Sequence, residues 1–173
     1  MKILGIIPAR MGSSRFPGKP LKKINGIPMV EYVYNNIKKN KLITELYIAT
    51  CDKEIMLHCK NINAKNVMTS KKHQRASERC AEALLKIEKI NKVSYDIVVM
   101  IQGDEPMINS HMVNEALNPM IKNKRINVTN LLGKITNKNE FNDKNCIKVV
   151  TNKNLNAIYF SRYAIPTYAN FNN

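Results

Sequence analysis

Short runs of β-branched and aliphatic residues alternate with longer segments of helical periodicity, and that alternation constrains the fold more than any other feature of the chain. Asp96–Ile101 holds the unbroken run Ile97-Val98-Val99-Met100-Ile101 and reads as a strand covered on both faces. Lys2–Ile7, Glu45–Ala49 and Asn66–Thr69 read as strands before it, and Asn127–Ile135, Ile147–Thr151 and Ala157–Phe160 as strands after it. Between them, Pro28–Asn40 sets Met29, Val33 and Ile37 at helical spacing, and Lys53–Lys60 reads as a second helix. Ser77–Ile90 gathers Ala81, Leu84, Leu85 and Ile87 on one side, and Ser110–Ile121 supplies a further helix. The pattern predicts an α/β fold with a mainly parallel sheet and helices on both faces, as a single domain over 1–173. Ligands in such folds sit at the carboxyl ends of the strands, and the chain's most unusual loops fall at that edge.

The 173 residues, 44% of them hydrophobic, suffice for a real core and exclude a disordered tail. No apolar stretch reaches membrane-spanning length. The N-terminal Met1-Lys2-Ile3-Leu4-Gly5-Ile6-Ile7 starts like a signal peptide, but its apolar run ends at Pro8-Ala9-Arg10, too early for an h-region and cleavage site. It reads as a first strand, and the expected location is the cytoplasm. Cys51, Cys59, Cys80 and Cys146 form neither a CxxC pair nor a zinc spacing, which suits bystander thiols in a reducing compartment. The net charge of +15 raises a nucleic-acid reading. Its lysines are dispersed, however, and stacking aromatics are scarce, with no Trp and 6% aromatics, so compositional drift is the better reading, with an anionic small-molecule site contributing part of the excess.

The loop Arg10–Pro20 is the richest segment. A polyphosphate needs backbone amides and fixed cations converging on it. Gly12 and Gly18 permit close backbone approach, Ser13 and Ser14 add hydroxyls, and Arg10, Arg15 and Lys19 supply three positive charges. Arginine grips phosphate oxygens in bidentate fashion, whereas lysine acts as a point charge. The segment is neither a Walker loop, because Pro20 follows Lys19, nor a GxGxxG fingerprint. An ordinary basic surface turn is the alternative reading.

The long apolar strand runs into Gln102-Gly103-Asp104-Glu105-Pro106. A carboxylate at a buried strand's end can hold Mg²⁺, which takes one or two carboxylates plus phosphate oxygens. Asp104 is the metal-ligand candidate, and Gln102 can hydrogen-bond a substrate hydroxyl or a base. The alternative is a solvated acidic turn capping the next helix, which Glu105 fits better than Asp104.

Pro8-Ala9-Arg10 followed by Ser14-Arg15-Phe16-Pro17-Gly18-Lys19-Pro20-Leu21 resembles the nucleotide loop of the bacterial 3-deoxy-manno-octulosonate (Kdo) cytidylyltransferases. Gln102-Gly103-Asp104-Glu105-Pro106 resembles their metal-binding turn, and Asn25-Gly26-Ile27-Pro28-Met29, Ile147-Lys148-Val149-Val150, Tyr159-Phe160-Ser161-Arg162 and Ile165-Pro166 resemble further blocks in the same order. The resemblance implies a Rossmann-like nucleotidyltransferase fold, usually dimeric. It implies a reaction in which CTP and a 2-keto sugar acid give a CMP-sugar and pyrophosphate with Mg²⁺, serving lipopolysaccharide or capsule synthesis. By the same resemblance, Arg10, Lys19 and Asp104 would be catalytic, and Arg10, Ser13, Arg15, Lys19, Gln74 and Arg79 would bind nucleotide. Gln102, Tyr159 and Arg162 would face the sugar acid, and Asp104 would bind Mg²⁺.

There are two departures. Where the family commonly reads His-x-Ser-Gly-Thr, then an acidic residue and Arg, this chain has His73-Gln74-Arg75-Ala76-Ser77-Glu78-Arg79. That segment normally lies near the base, so base or sugar preference is open, and His73 reads as a loop-positioning residue. Family members also continue past the Ile-Pro block to a second metal-binding Asp and further sugar-site and dimer residues, so this chain is expected to lack that C-terminal portion. CMP-neuraminate-type or other sugar nucleotidyltransferases, a nucleotide-binding remnant without turnover, and a nucleic-acid module are the competing readings.

Overall fold

A computed structural model describes residues 1–12 and 16–166. The backbone contacts divide into two compact units, Met1–Thr129 and Asn130–Asn173. No helix among the described residues is long and apolar enough to cross a membrane.

The first unit is built on β1 (Ile3–Ala9), β4 (Glu45–Thr50), β5 (Asn66–Met68) and β6 (Ile97–Met100). They form a parallel sheet in the order β5-β4-β1-β6. All seven residues of β1 are buried, as a central parallel strand requires. Pleating sends alternate residues to opposite faces. Ile3, Ile7 and Ala9 of β1 join Leu46 and Ile48 of β4 in one core cluster. Against it pack Val30, Val33 and Ile37 of α1 (Met29–Ile37), Ile55 and Cys59 of α2 (Lys53–Asn61), and Val113 and Leu117 of α4 (Ser110–Lys122). On the other face, Leu4, Ile6, Tyr47 and Ala49 meet Cys80, Ala83 and Ile87 of α3 (Ala76–Asn91). Each such aliphatic side chain contributes about 1.5–3 kcal/mol on burial, which outweighs the modest helix propensity of the individual segments. A small hairpin, β2 (Lys23–Ile24) with β3 (Ile27–Pro28), turns through Asn25 and Gly26, both at positive φ, and leads into α1.

Three expectations differ from the structure. On α3 the buried face is Arg79, Cys80, Ala83 and Ile87, while Ala81 and Leu85 are exposed, because the sheet meets the helix on a face shifted by one residue from the predicted one. β6 is not covered on both faces: Val98 and Met100, in register with Leu4 and Ile6, are 37% and 43% exposed. β6 is the sheet's edge, and α3, the one helix of its cluster, leaves those two side chains open. Residues 127–135 form no strand, and Val128, Leu131 and Leu132 are exposed. An apolar run becomes a strand only where a neighbour pairs its backbone groups, and β-propensity cannot supply that neighbour.

The second unit contains α5 (Lys138–Asn142), whose N-cap Asn137 accepts the Glu140 amide at 2.9 Å. It also contains the antiparallel pair β7 (Lys148–Thr151) and β8 (Ala157–Ser161), in which Lys148 faces Ser161 and Val150 faces Tyr159.

Candidate functional site

The carboxyl ends of β1, β5 and β6 open into a cavity of about 250 Å³. Its walls are Pro8, Ala9, Arg10, Lys19 and Pro20 from the first loop, His73, Gln74, Arg75, Ala76 and Arg79 around the start of α3, and Gln102, Gly103 and Asp104 beyond β6. Four of these residues are cationic, Arg10, Lys19, Arg75 and Arg79, and only Asp104 is a carboxylate. The cavity therefore suits a polyanion.

The first loop is closed at its neck. The Gly18 amide donates to the Met11 carbonyl at 2.9 Å, and Gly18 adopts φ +71°, the left-handed region where a glycine is unstrained. The Met11 amide in turn donates to Asp52 Oδ2 at 2.8 Å. Past the neck, the chain turns into a short 3-10 helix, Lys19–Leu21, started by Pro20. The Lys19 ammonium then meets Asp104 Oδ2 at 2.7 Å, although the two residues are 85 positions apart. Asp104 reaches this position because the turn beyond β6 lies directly against β1. A Cβ on Gly103 would fall 2.8 Å from the Pro8 carbonyl oxygen, so only glycine allows that approach.

The opposite wall is fixed by carboxylates of α3. Glu82 accepts the Ser70 amide and the Lys86 ammonium, each at 2.8 Å, and lies 2.5 Å from His73 Nε2. The Lys86 ammonium above all, then the Ser70 amide, lowers the Glu82 pKa to about 2, against the desolvation that would raise it. Glu78 accepts the Arg75 and Gln74 amides, and these bonds, Arg75's first, hold its carboxyl below the usual range. Arg79 is 2% exposed, and its Nη1 donates to Thr69 Oγ1 and to the Ser70 carbonyl at 3.4 Å. Among the described residues no carboxylate lies within ion-pair distance of it. A buried guanidinium without a counter-charge at a cavity wall is matched to an anionic ligand.

Of the residues singled out in the sequence, Arg10, Lys19, Gln74, Arg79, Gln102 and Asp104 all line this one cavity. Ser13 and Arg15 lie outside the described residues. Tyr159 and Arg162 belong to the second unit, where Tyr159 is 58% exposed and Arg162 Nη1 donates to the Lys144 carbonyl at 3.0 Å. Arg75, in the segment that the family resemblance sets near the base, lines the cavity as well. Sequence reasoning did not find Asp52 and Glu82 as supports of the site. An acidic residue following a strand, as Asp52 does, looks like a helix cap and nothing more.

As donors, Asp104 and the cavity's other oxygens suit a hard divalent cation. No group of three His, Cys, Asp or Glu able to hold a metal exists among the described residues. Asp104 is the carboxylate at the cavity that could serve as a ligand to such a cation.

A parallel α/β sheet with a cationic cavity at its carboxyl edge, lined among the described residues by the one carboxylate of Asp104, defines a nucleotide-binding class of protein. The cytidylyltransferase family model matches residues 4–173, and the chain belongs to that family. It is 43% identical over 166 residues to a 3-deoxy-manno-octulosonate cytidylyltransferase of Fusobacterium nucleatum, covering 96% of this chain and 65% of the relative. To the protein of the same name from Thermodesulfovibrio yellowstonii it is 39% identical over 168 residues, covering 96% and 66%. The chain thus spans about 65% of the length of these curated relatives. A solved structure of CMP:2-keto-3-deoxy-manno-octonic acid synthetase complexed with CTP superposes with TM-score 0.81 at 32% identity, covering 98% of this chain and 68% of that one.

Proposed function

We infer that this chain is a CTP-dependent cytidylyltransferase that activates an acidic 2-keto sugar, Kdo or a close analogue, for lipopolysaccharide or capsule synthesis. The observation that carries the reading is the Lys19–Asp104 pair, set in a cavity whose other charged lining residues, among those described, are three arginines. Relatives bearing the Kdo cytidylyltransferase name support the sugar class.

In nucleotidyl transfer a sugar hydroxyl attacks the α-phosphorus in line and pyrophosphate leaves. The protein's work is positioning and neutralising charge, with no covalent intermediate. Arg10 stands at the mouth of β1 to hold the α-phosphate. Lys19 exchanges Asp104 for oxygens of the leaving pyrophosphate, so the cation is already at the site when CTP enters. Asp104, released by that exchange, would hold Mg²⁺, which supplies neutralisation of phosphate charge. Arg79 and the amino-terminal end of α3 add fixed positive potential on the far wall. Gln102 offers a hydrogen bond to base or sugar.

The test is pyrophosphate release from CTP with Kdo, run beside UTP, TTP and ATP and beside N-acetylneuraminate. Release confined to CTP with a 2-keto sugar acid is the expected result. Thermal stabilisation by CTP without any release identifies a binding protein and overturns the catalytic reading. Stabilisation by none of the four triphosphates overturns the nucleotide reading itself.

A further inference from the structure

We propose that Asp52 is a positioning residue for the nucleotide loop, fixing the neck from which both Arg10 and Lys19 emerge. The inference rests on the nucleotide reading above and assigns a residue that touches no phosphate.

β1 and β4 run parallel with Ala9 beside Thr50, the last residue of each strand. Two residues further on, the Met11 amide would have no backbone acceptor. Asp52 Oδ2 takes it at 2.8 Å, so the carboxylate continues the strand pairing by one rung into the loop. Met11 then uses its carbonyl to accept the Gly18 amide at 2.9 Å. One carboxylate therefore locks both ends of the segment: Arg10 precedes the neck and Lys19 follows it. Asp52 is itself held, because its amide donates to the Thr50 hydroxyl at 3.1 Å and Thr50 is wholly buried.

Its position makes the assignment sharper. Asp52 is the N-cap of α2 with extended backbone, φ −112° and ψ 130°, where an aspartate ordinarily accepts an amide of the first helical turn. It makes no such bond. The side chain turns to the loop instead, so losing it leaves the helix's own hydrogen bonds as they are and frees the neck. A charge-assisted bond to a backbone amide is also the stronger type of hydrogen bond, which suits a fixed anchor.

The experiment compares Asp52→Ala, Asp52→Asn and Asp52→Glu in the full chain. The readouts are kcat/KM for CTP, CTP affinity by calorimetry, the melting temperature, and hydrogen exchange of the Met11 and Gly18 amides. Displacement of a catalytic cation by about 1 Å can cost on the order of 100-fold, so Asp52→Ala is expected to lose about 10- to 100-fold in kcat/KM. Exchange at Met11 should rise at least about 10-fold, in the range expected for loss of one anchoring bond. Asp52→Asn keeps an oxygen acceptor and is expected to stay within about threefold of the parent, since the bond survives without its charge. Should Asp52→Ala fail to fold, Asp52→Glu carries the test, because it retains charge and moves the acceptor by one methylene. Faster exchange at Met11 with weakened CTP binding then supports the assignment.

Parent-like CTP affinity with faster Met11 exchange overturns the proposal, and so does Asp52→Asn falling as far as Asp52→Ala. If the unaltered chain binds no CTP, the nucleotide reading fails. The exchange data still decide whether Asp52 anchors the loop.

Discussion

Replacing Lys19 by alanine separates a functional pair from a structural one. The ammonium and carboxylate are 2.7 Å apart, and their side chains are 32% and 50% exposed. At that distance the Coulomb attraction runs from about 1.5 kcal/mol at the permittivity of water to about 6 kcal/mol at an effective value of ~20. Exposure to solvent and the entropy of fixing two flexible side chains reduce the net contribution to roughly 0.2–1 kcal/mol. Asp104, once alone, remains half exposed to solvent, which limits its desolvation penalty. For a chain of this length 1 kcal/mol corresponds to about 2–4 °C, so Lys19→Ala should melt within about 4 °C of the parent. Its effect on reaction should be far larger, because it removes a preorganised cation from the charge on departing pyrophosphate. Losses of about 100- to 1000-fold in kcat, or about 2.7–4 kcal/mol, are typical of such groups. Differential scanning fluorimetry gives the first quantity and a coupled pyrophosphate assay the second. A fall in melting temperature beyond about 8 °C, twice the largest shift such a pair can produce, would mean the pair holds the fold together. Turnover within threefold of the parent would remove Lys19 from the site, and either result refutes the reasoning.

Gly103→Ala forces a Cβ to within 2.8 Å of the Pro8 carbonyl, and should cost about 1–3 kcal/mol in urea denaturation while displacing Asp104 enough to weaken Mg²⁺-dependent CTP binding. Ile87→Ala, at a wholly buried position between α3 and the sheet, should lose about 2–5 kcal/mol by the same measurement. Glu82 has its folded pKa lowered from 4.5 to about 2, so its contribution to stability is complete above pH 4.5 and is lost as pH falls towards 2. Urea melts at pH 6 and pH 3 should therefore show the parent losing its advantage over Glu82→Gln at the lower pH. Burial pushes the Cys59 thiol up to about 11 and the Cys80 thiol up to about 12, so a thiol reagent at pH 8 should modify neither until denaturant is added, while the half-buried Cys146 reacts first.

The alternation of periods in the sequence made the sheet and its helices legible, because Ile3 to Ala9 and Glu45 to Thr50 cannot bury both faces without helices on each side. What failed was pairing. Ile97 to Met100 looks central from composition, but strand order makes it an edge, and order depends on neighbours that no local pattern encodes. The cavity was legible where charge stands out against its surroundings: Arg10 and Lys19 in a glycine-bearing loop, Asp104 after an apolar run. Asp52 and Glu82 were not legible, because each acts on backbone amides 41 and 12 positions away, a relation that exists only in the folded chain.

The parallel pairing of β1 with β6 also sets the order of events as the chain is made. Lys2 and Asp96 meet across that pair, although 94 positions separate them. Synthesis must pass the midpoint of this chain before the two strands can dock, and until then Lys19 has no carboxylate opposite it. Closing so wide a span is entropically slow. A nascent chain halted before β6 would expose a half-made sheet to aggregation and could not use nucleotide to rescue itself, since ligand stabilises only a pocket that already exists.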